Sequence, residues 1–139
     1  MQKIIVDTNV IVSSLIQRSY PYKIIHELFI DDKFLLCVSE DLMLEYYEVI
    51  SRPKFARFSD FFVRAESLLA EIESKAIKFE PNIKLDLISD KDDNMILELA
   101  DECQADFIIT GNTKDFTFPH YKNTKIVSPM EYWENHTPE

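Results

Sequence analysis

Glycine is almost missing from this chain: among 139 residues there is one, Gly111. A G-x-x-x-x-G-K-[ST] phosphate loop and a G-x-G-x-x-G dinucleotide fingerprint each need more than one, so two large α/β classes are excluded at once. Cysteine is nearly as scarce. Cys37 and Cys103 lie in apolar surroundings with no Cys/His partner at zinc-ligand spacing, which argues against a disulfide framework or a structural zinc and for two reduced core thiols. No apolar run approaches the roughly 18 residues of a membrane span, and the stretch after Lys3 is broken by Asp7 and Asn9 before it could serve as a signal peptide. A cytoplasmic protein without a membrane partner is expected. Positive charge is in deficit as well. Fifteen Lys and Arg stand against 25 Asp and Glu, a formal charge of −10. That excludes a nucleic-acid binder working by overall attraction, and leaves one that recruits cations or uses a local basic patch.

What is present is a hydrophobic fraction of 46%, enough for one buried core, so residues 1–139 are expected to form a single domain. Ile4 to Val6 reads as a short strand buried on both faces, and "KFLLCV" (33–38), "DFIIT" (106–110) and "KIV" (125–127) resemble it. A further short strand falls near "AIKFE" (76–80) or "LDL" (85–87). Between them, apolar residues at three- and four-residue spacing predict helices over 9–17, 21–30, 40–50, 59–75 and 92–103. Such alternation means an α/β domain with a parallel sheet, whose functional residues gather beyond the carboxyl ends of the strands.

Asp7 falls at such an end, in "KIIVDTNVIVSSL" (3–15), with Thr8 and Asn9 beside it as supporting polar groups. Alone it reads equally as a helix N-cap. Two other acids stand where packing would not choose them. In "SEDLMLEYYEVI" (39–50), Ser39 is the expected N-cap, and Glu45 interrupts an apolar stripe with Leu42 and Val49. In "SDKDDNMILELA" (89–100), Asp93 heads a stripe continued by Ile96, Leu97 and Ala100, with Asp90 just before the helix. First-turn acids suit the helix dipole, but three aspartates in four residues also repel one another, and a bound cation would relieve that. Thr110, Asn112 and Asp115 follow the strand of "IITGNTKDF" (108–116) in a polar turn. Asp7, Glu45, Asp93 and this turn border one edge of the sheet, which points to a shared acidic pocket.

Taken in order, "IIVDTNVIVSSL", the acid on the helix after the second strand, "SDKDDNMILELA", and "FIITGNTKDF" before "IVSPMEYW" resemble the PIN-domain family of metal-dependent ribonucleases. Within it the likeness is closest to bacterial and archaeal toxin components of toxin-antitoxin pairs, similar in design to VapC-type toxins. The resemblance implies a three-layer α/β/α fold and a Mg²⁺ or Mn²⁺ site. It assigns Asp7, Glu45 and Asp93 as the characteristic acids and Asp90 as a further one. Asn112 stands where many members have Asp, with Asp115 three residues on. The resemblance also implies an RNA substrate, a cognate antitoxin protein and a homodimer. In the corresponding chemistry, Asp7 and Asp93 hold the ion and Glu45 orients the attacking water, leaving a 5′-phosphate and a 3′-hydroxyl.

The expected RNA path is "SRPKFARFSDFFVR" (51–64), where Arg52, Lys54, Arg57 and Arg64 face one acid, Asp60. Phe55, Phe58, Phe61, Phe62, Tyr132 and Trp133 exceed what a small core easily hides, so some are expected at an interface. His26, His120 and His136 receive no role. Two alternatives remain open at this level: a Mg²⁺-dependent phosphotransfer or phosphatase-type α/β domain, and a non-catalytic PIN-like interaction module. The first wants D-x-D or paired acids after the first strand, where position 9 is Asn.

Overall fold

Ile4, Ile5 and Val6 are fully buried, and a computed structural model of the protein, which describes residues 1–88, 90–112, 116 and 118–138, places them at the centre of the sheet. Strand β1 (Lys3–Val6) pairs in parallel with β2 (Leu35–Val38) on one side and β4 (Phe107–Ile109) on the other, with Ile4 opposite Leu36 and Phe107. β3 (Ile77–Lys78) extends the sheet beyond β2, and β6 (Thr124–Val127) extends it beyond β4. β5 (His120–Tyr121) closes that side as an antiparallel partner of β6. The order is β3-β2-β1-β4-β6-β5. All four expected strands form. The doubtful fifth lies in 76–80, since Ile77 and Lys78 pair with Cys37 and Val38 while "LDL" forms no strand. The antiparallel β5 was not anticipated. It arises from the tight turn after Tyr121, where Lys122 takes a positive φ of 51°.

Helices fill both faces of the sheet. α1 (Thr8–Ile16) leads to α2 (Tyr20–Lys23), which widens without a break into a π-turn over Ile24–Phe29. There Ile30 N–H reaches back five residues to the Ile25 carbonyl. α3 (Glu40–Ile50) begins as Ser39 Oγ accepts the Leu42 N–H at 3.1 Å, the expected cap. A 3₁₀ turn (Pro53–Arg57) then leads into α4 (Phe61–Lys75). Right-handed crossovers from β1 to β2 and from β2 to β3 put α1 to α4 on one face. The connection that carries α5 (Lys91–Cys103) back to β4 runs the other way, so α5 covers β1 and β2 from the opposite face. This is the expected three-layer α/β/α arrangement. α6 (Pro129–Asn135), absent from the sequence-based assignment, is capped by Ser128 and seats Tyr132 against Phe34 and Phe107.

Cys37 and Cys103 are both buried free thiols, as expected. The six aromatics singled out above divide between core and surface. Phe55, Phe61 and Tyr132 are buried, because Phe55 stacks on Phe61 at 4.7 Å under the α3–α4 connection and Tyr132 fills the space beside Phe107. Of that group Phe62 is the exposed ring.

Candidate active site

The sheet winds toward β3 from β1 and toward β6 from β4, so β1 and β4 flank its topological switch point. In open parallel sheets that point is where ligands bind beyond the strand ends. Asp7 follows β1 there, its N–H bonded to the Ile109 carbonyl at 2.9 Å. It occupies the N-cap position of α1, yet its side chain makes no capping hydrogen bond, which removes the plain capping explanation. Its buried carboxylate instead accepts the hydroxyl of fully buried Thr110 at 2.8 Å. Thr110 Oγ1 in turn accepts the Asn112 N–H at 3.1 Å. The β4 loop thus orients Asp7 through one threonine.

Thr8 opens α1 and donates its hydroxyl to Glu45 Oε2. The neighbour of Glu45, buried Tyr46, donates its phenol to the Val6 carbonyl, which fixes α3 against the end of β1. Glu45 is half-buried. Burial is the main cause that lifts its pKa from the usual 4.5 to about 7; the Thr8 hydrogen bond opposes the shift, while the hydrogen-bonded carboxyl of Asp92 and the charge of Asp7 add to it. Two helices and a strand end therefore bring acids together, as anticipated for Asp7 and Glu45.

Asp92 was missed. Three aspartates in four residues look alike in sequence, and a helical step of about 100° decides which one meets α3. Asp93, the next residue, is buried in the first turn of α5. Asp90 is the exposed N-cap of that helix, and its Oδ1 accepts the Asp92 N–H at 2.8 Å. Asn94 was also missed. Its side chain accepts the N–H groups of Leu87 and Ile88, both at 3.0 Å, and donates to the Ile88 carbonyl at 2.6 Å. Glu98 adds a bond from the Leu85 N–H at 2.8 Å. Together they clamp the irregular segment before α5 onto the helix that carries the acids.

Other anticipated residues lie further from this centre or are engaged elsewhere. Asn9 and Asn112 are exposed, and Asp115 lies outside the described residues. Among the described residues, no three His, Cys, Asp or Glu side chains are already drawn into a set able to hold a metal. In the basic stretch, Arg52 pairs with Glu48 one turn back at 3.0 Å, Lys54 lies 5.3 Å from the Phe55 ring and Arg57 4.8 Å from the Phe58 ring. Arg64 donates to the Leu15 carbonyl at the end of α1. All four cations are exposed, and two of them, Arg52 and Arg64, are hydrogen-bonded within the protein.

A family model described as "PIN domain" matches residues 3–114. An uncharacterized protein of Methanocaldococcus jannaschii is 30% identical over 142 aligned positions, which cover 95% of this chain and 90% of that protein. PIN domains are in general nucleases, hydrolases that act on nucleic acid and generally use divalent metal ions. With the switch-point acids on an α/β/α frame and the match spanning most of the chain, the protein belongs to the PIN domain family.

Proposed function

We propose that this protein is a Mg²⁺- or Mn²⁺-dependent ribonuclease that hydrolyses RNA phosphodiester bonds as the toxin of a toxin-antitoxin pair. The observation that carries the reading is the meeting of Glu45, Asp92 and Asp7 at the switch point, strong enough in mutual repulsion and burial to lift the Glu45 pKa to about 7. Acids held this close are poised for a cation.

The donor set fits such an ion. Asp7, Glu45, Asp92 and Asp93 offer hard carboxylate oxygens, and Mg²⁺ commonly keeps several waters while using one or two protein carboxylates, so a closed cage is not required. Asp7 and Asp93 would hold it, with Asp90, Asn112 and Asp115 as further candidate donors. When bound, the ion supplies positive charge to a phosphate oxygen and lowers the pKa of a bound water. Glu45, a carboxylate whose pKa sits near neutrality, would accept a proton from the attacking water and orient that water toward phosphorus. Thr8 holds one Glu45 oxygen and Thr110 one Asp7 oxygen, so both carboxylates keep their orientation before substrate arrives. Lys54, Arg57 and, less freely, Arg52 would meet the RNA backbone.

The toxin role, a cognate antitoxin and a homodimer are supported by the likeness of the ordered motifs to toxin components and by exposed apolar side chains, Leu44, Tyr47 and Phe62, on α3 and α4. Incubation with a mixed RNA pool, with and without Mn²⁺, and mapping of product ends tests the activity. Metal-dependent products with 5′-phosphates are expected. RNA left intact at every metal concentration would defeat the reading.

A further inference from the structure

Away from the carboxylates, a cleft of about 490 Å³ opens between the end of α1, the π-turn and α4. Buried Leu15 and Leu68 form its floor, and Val63, 67% exposed, stands on its rim. Two cations and two rings line the rest. The Arg18 guanidinium lies 5.3 Å from the centre of the Tyr22 ring, and the His26 ring packs on Tyr22 at 4.4 Å. Arg64 is held by bonds to the Leu15 carbonyl at 2.6 Å and the Ser59 carbonyl at 3.2 Å, which leaves others of its five N–H donors for a further acceptor. Burial and the charges of Arg64 and Arg18 depress the His26 pKa, against a hydrogen bond to the Ser14 backbone, so its ring stays a neutral flat surface.

The charge of this cleft runs against that of the protein. Its acid, Glu71, is paired with Lys75 at 3.5 Å. Among the described residues neither Arg18 nor Arg64 has a carboxylate within ion-pair distance. A chain of net −10 thus keeps two guanidinium groups without an ion-pair partner beside two aromatic rings packed at a tilt of 31°. That pairing of π-faces with positive charge suits an unstacked base and its phosphates better than it suits a neutral ligand. Position agrees. Thr8, which holds Glu45, and Ile16, at the cleft, are the two ends of α1, and eight helical steps separate them by about 12 Å. A strand threaded through the acidic centre reaches the cleft within a few nucleotides.

We infer that this cleft is a nucleotide subsite for the RNA substrate, a base stacking on Tyr22 and His26 while flanking phosphates meet Arg18 and Arg64; the inference rests on the ribonuclease reading above. The test uses the full chain and a fluorescein-labelled single-stranded RNA of about ten nucleotides that carries 4-thiouridine at varied positions. Light-induced cross-links should map to the peptide holding Tyr22 and His26. Arg18→Ala should weaken binding about five-fold and reduce the magnitude of the salt slope by about 0.7. Tyr22→Leu, and Ser67→Trp, which fills the cleft without touching its cations, should raise KM with kcat nearly unchanged. Cross-links found elsewhere, with parent-like binding in Arg18→Ala and Ser67→Trp, would overturn the subsite while ribonuclease activity stands. So would RNA binding that survives Ser67→Trp while a labelled acidic, leucine-rich peptide is lost, since the cleft would then be a protein-docking groove. A parent that neither binds nor cuts RNA overturns both readings together.

Discussion

Thr110 and Asp7, distant in the chain, meet across the point where the sheet reverses its winding, the threonine hydroxyl donating to Asp7 Oδ2 at 2.8 Å. One contact thereby ties β4 to the acid at the end of β1. Thr110→Val should remove it and leave the buried carboxylate without that donor, at a cost of about 2 kcal/mol in stability. Cleavage should fall by at least about ten-fold, since a donor of about 1.4 kcal/mol is worth that much if it acts on the transition state. Thr110→Ser should restore most of both. Chemical denaturation and cleavage rates of the two variants check this, and equal behaviour of Val and Ser would show that the hydroxyl does nothing.

Asp7→Asn and Asp93→Asn should each abolish Mn²⁺-dependent cleavage while the protein stays folded. Crowded carboxylates repel when no cation is present, so removal of one charge costs the metal-free fold little or even stabilises it. Circular dichroism melts beside cleavage assays separate the two effects. A variant that cuts like the parent at saturating metal would remove that residue from the site.

The Glu45 pKa, raised from 4.5 to about 7, fixes the sign of a pH effect. Between those values the folded state holds a proton that the unfolded state has released, so this group's stabilising contribution is complete below about pH 4.5 and lost as pH rises through about 7. In divalent-free buffer the parent should therefore lose melting temperature from pH 5 to 8 relative to Glu45→Gln, whose side chain does not titrate. Mn²⁺ binding should also strengthen over the same range, because the ion displaces that proton. Parallel melting curves for the two proteins would contradict the shift.

Asn94 makes three hydrogen bonds to the backbone of the segment before α5. Asn94→Ala strands the buried Ile88 N–H, the part-buried Leu87 N–H and the Ile88 carbonyl, and should destabilise by about 2 kcal/mol. Asn94→Asp keeps the acceptor for Leu87 and Ile88 but loses the donor to Ile88, and should cost less. Urea midpoints rank the two. An alanine variant as stable as the parent would mean that solvent or a rearranged loop satisfies those groups.

Among the described residues Lys54 and Arg57 lie along aromatic rings without a carboxylate partner in ion-pair range, whereas Arg52 is tied to Glu48. Lys54→Ala with Arg57→Ala should therefore reduce the magnitude of the salt slope of RNA binding by about 1.4, and Arg52→Ala by less than about 0.7. An unchanged slope in the double variant would move the RNA path off the 3₁₀ turn.

The strands were legible because β-branched runs with no polar interruption have few other places to go, and α3 because Ser39 caps it and its apolar stripe stops at Ile50. Asp7 and Glu45 could be paired because strand ends and helix starts share one edge of a parallel sheet. The π-turn was not legible: Ile24–Phe29 has ordinary helical periodicity, and its buried Ile24, Ile25 and Phe29 would suit an α-helix equally well. Asp92 was hidden by its identical neighbours. The bond from Arg64 to the end of α1 was hidden as well, since counting charges in 51–64 does not show which side chains are held within the protein.

Both margins of the sheet are cut short: β3 and β5 have two residues each. A strand of that length offers too few open N–H and C=O groups to template another chain, and Lys78 and Lys122 put charge beside each margin. Growth of the sheet from one molecule into the next is thereby discouraged, which matters for a chain whose interior strands are mostly isoleucine, leucine and valine. In the proposed homodimer the helices, not the strands, would supply the contact, and such a contact closes on a pair where added strands would continue into a fibre.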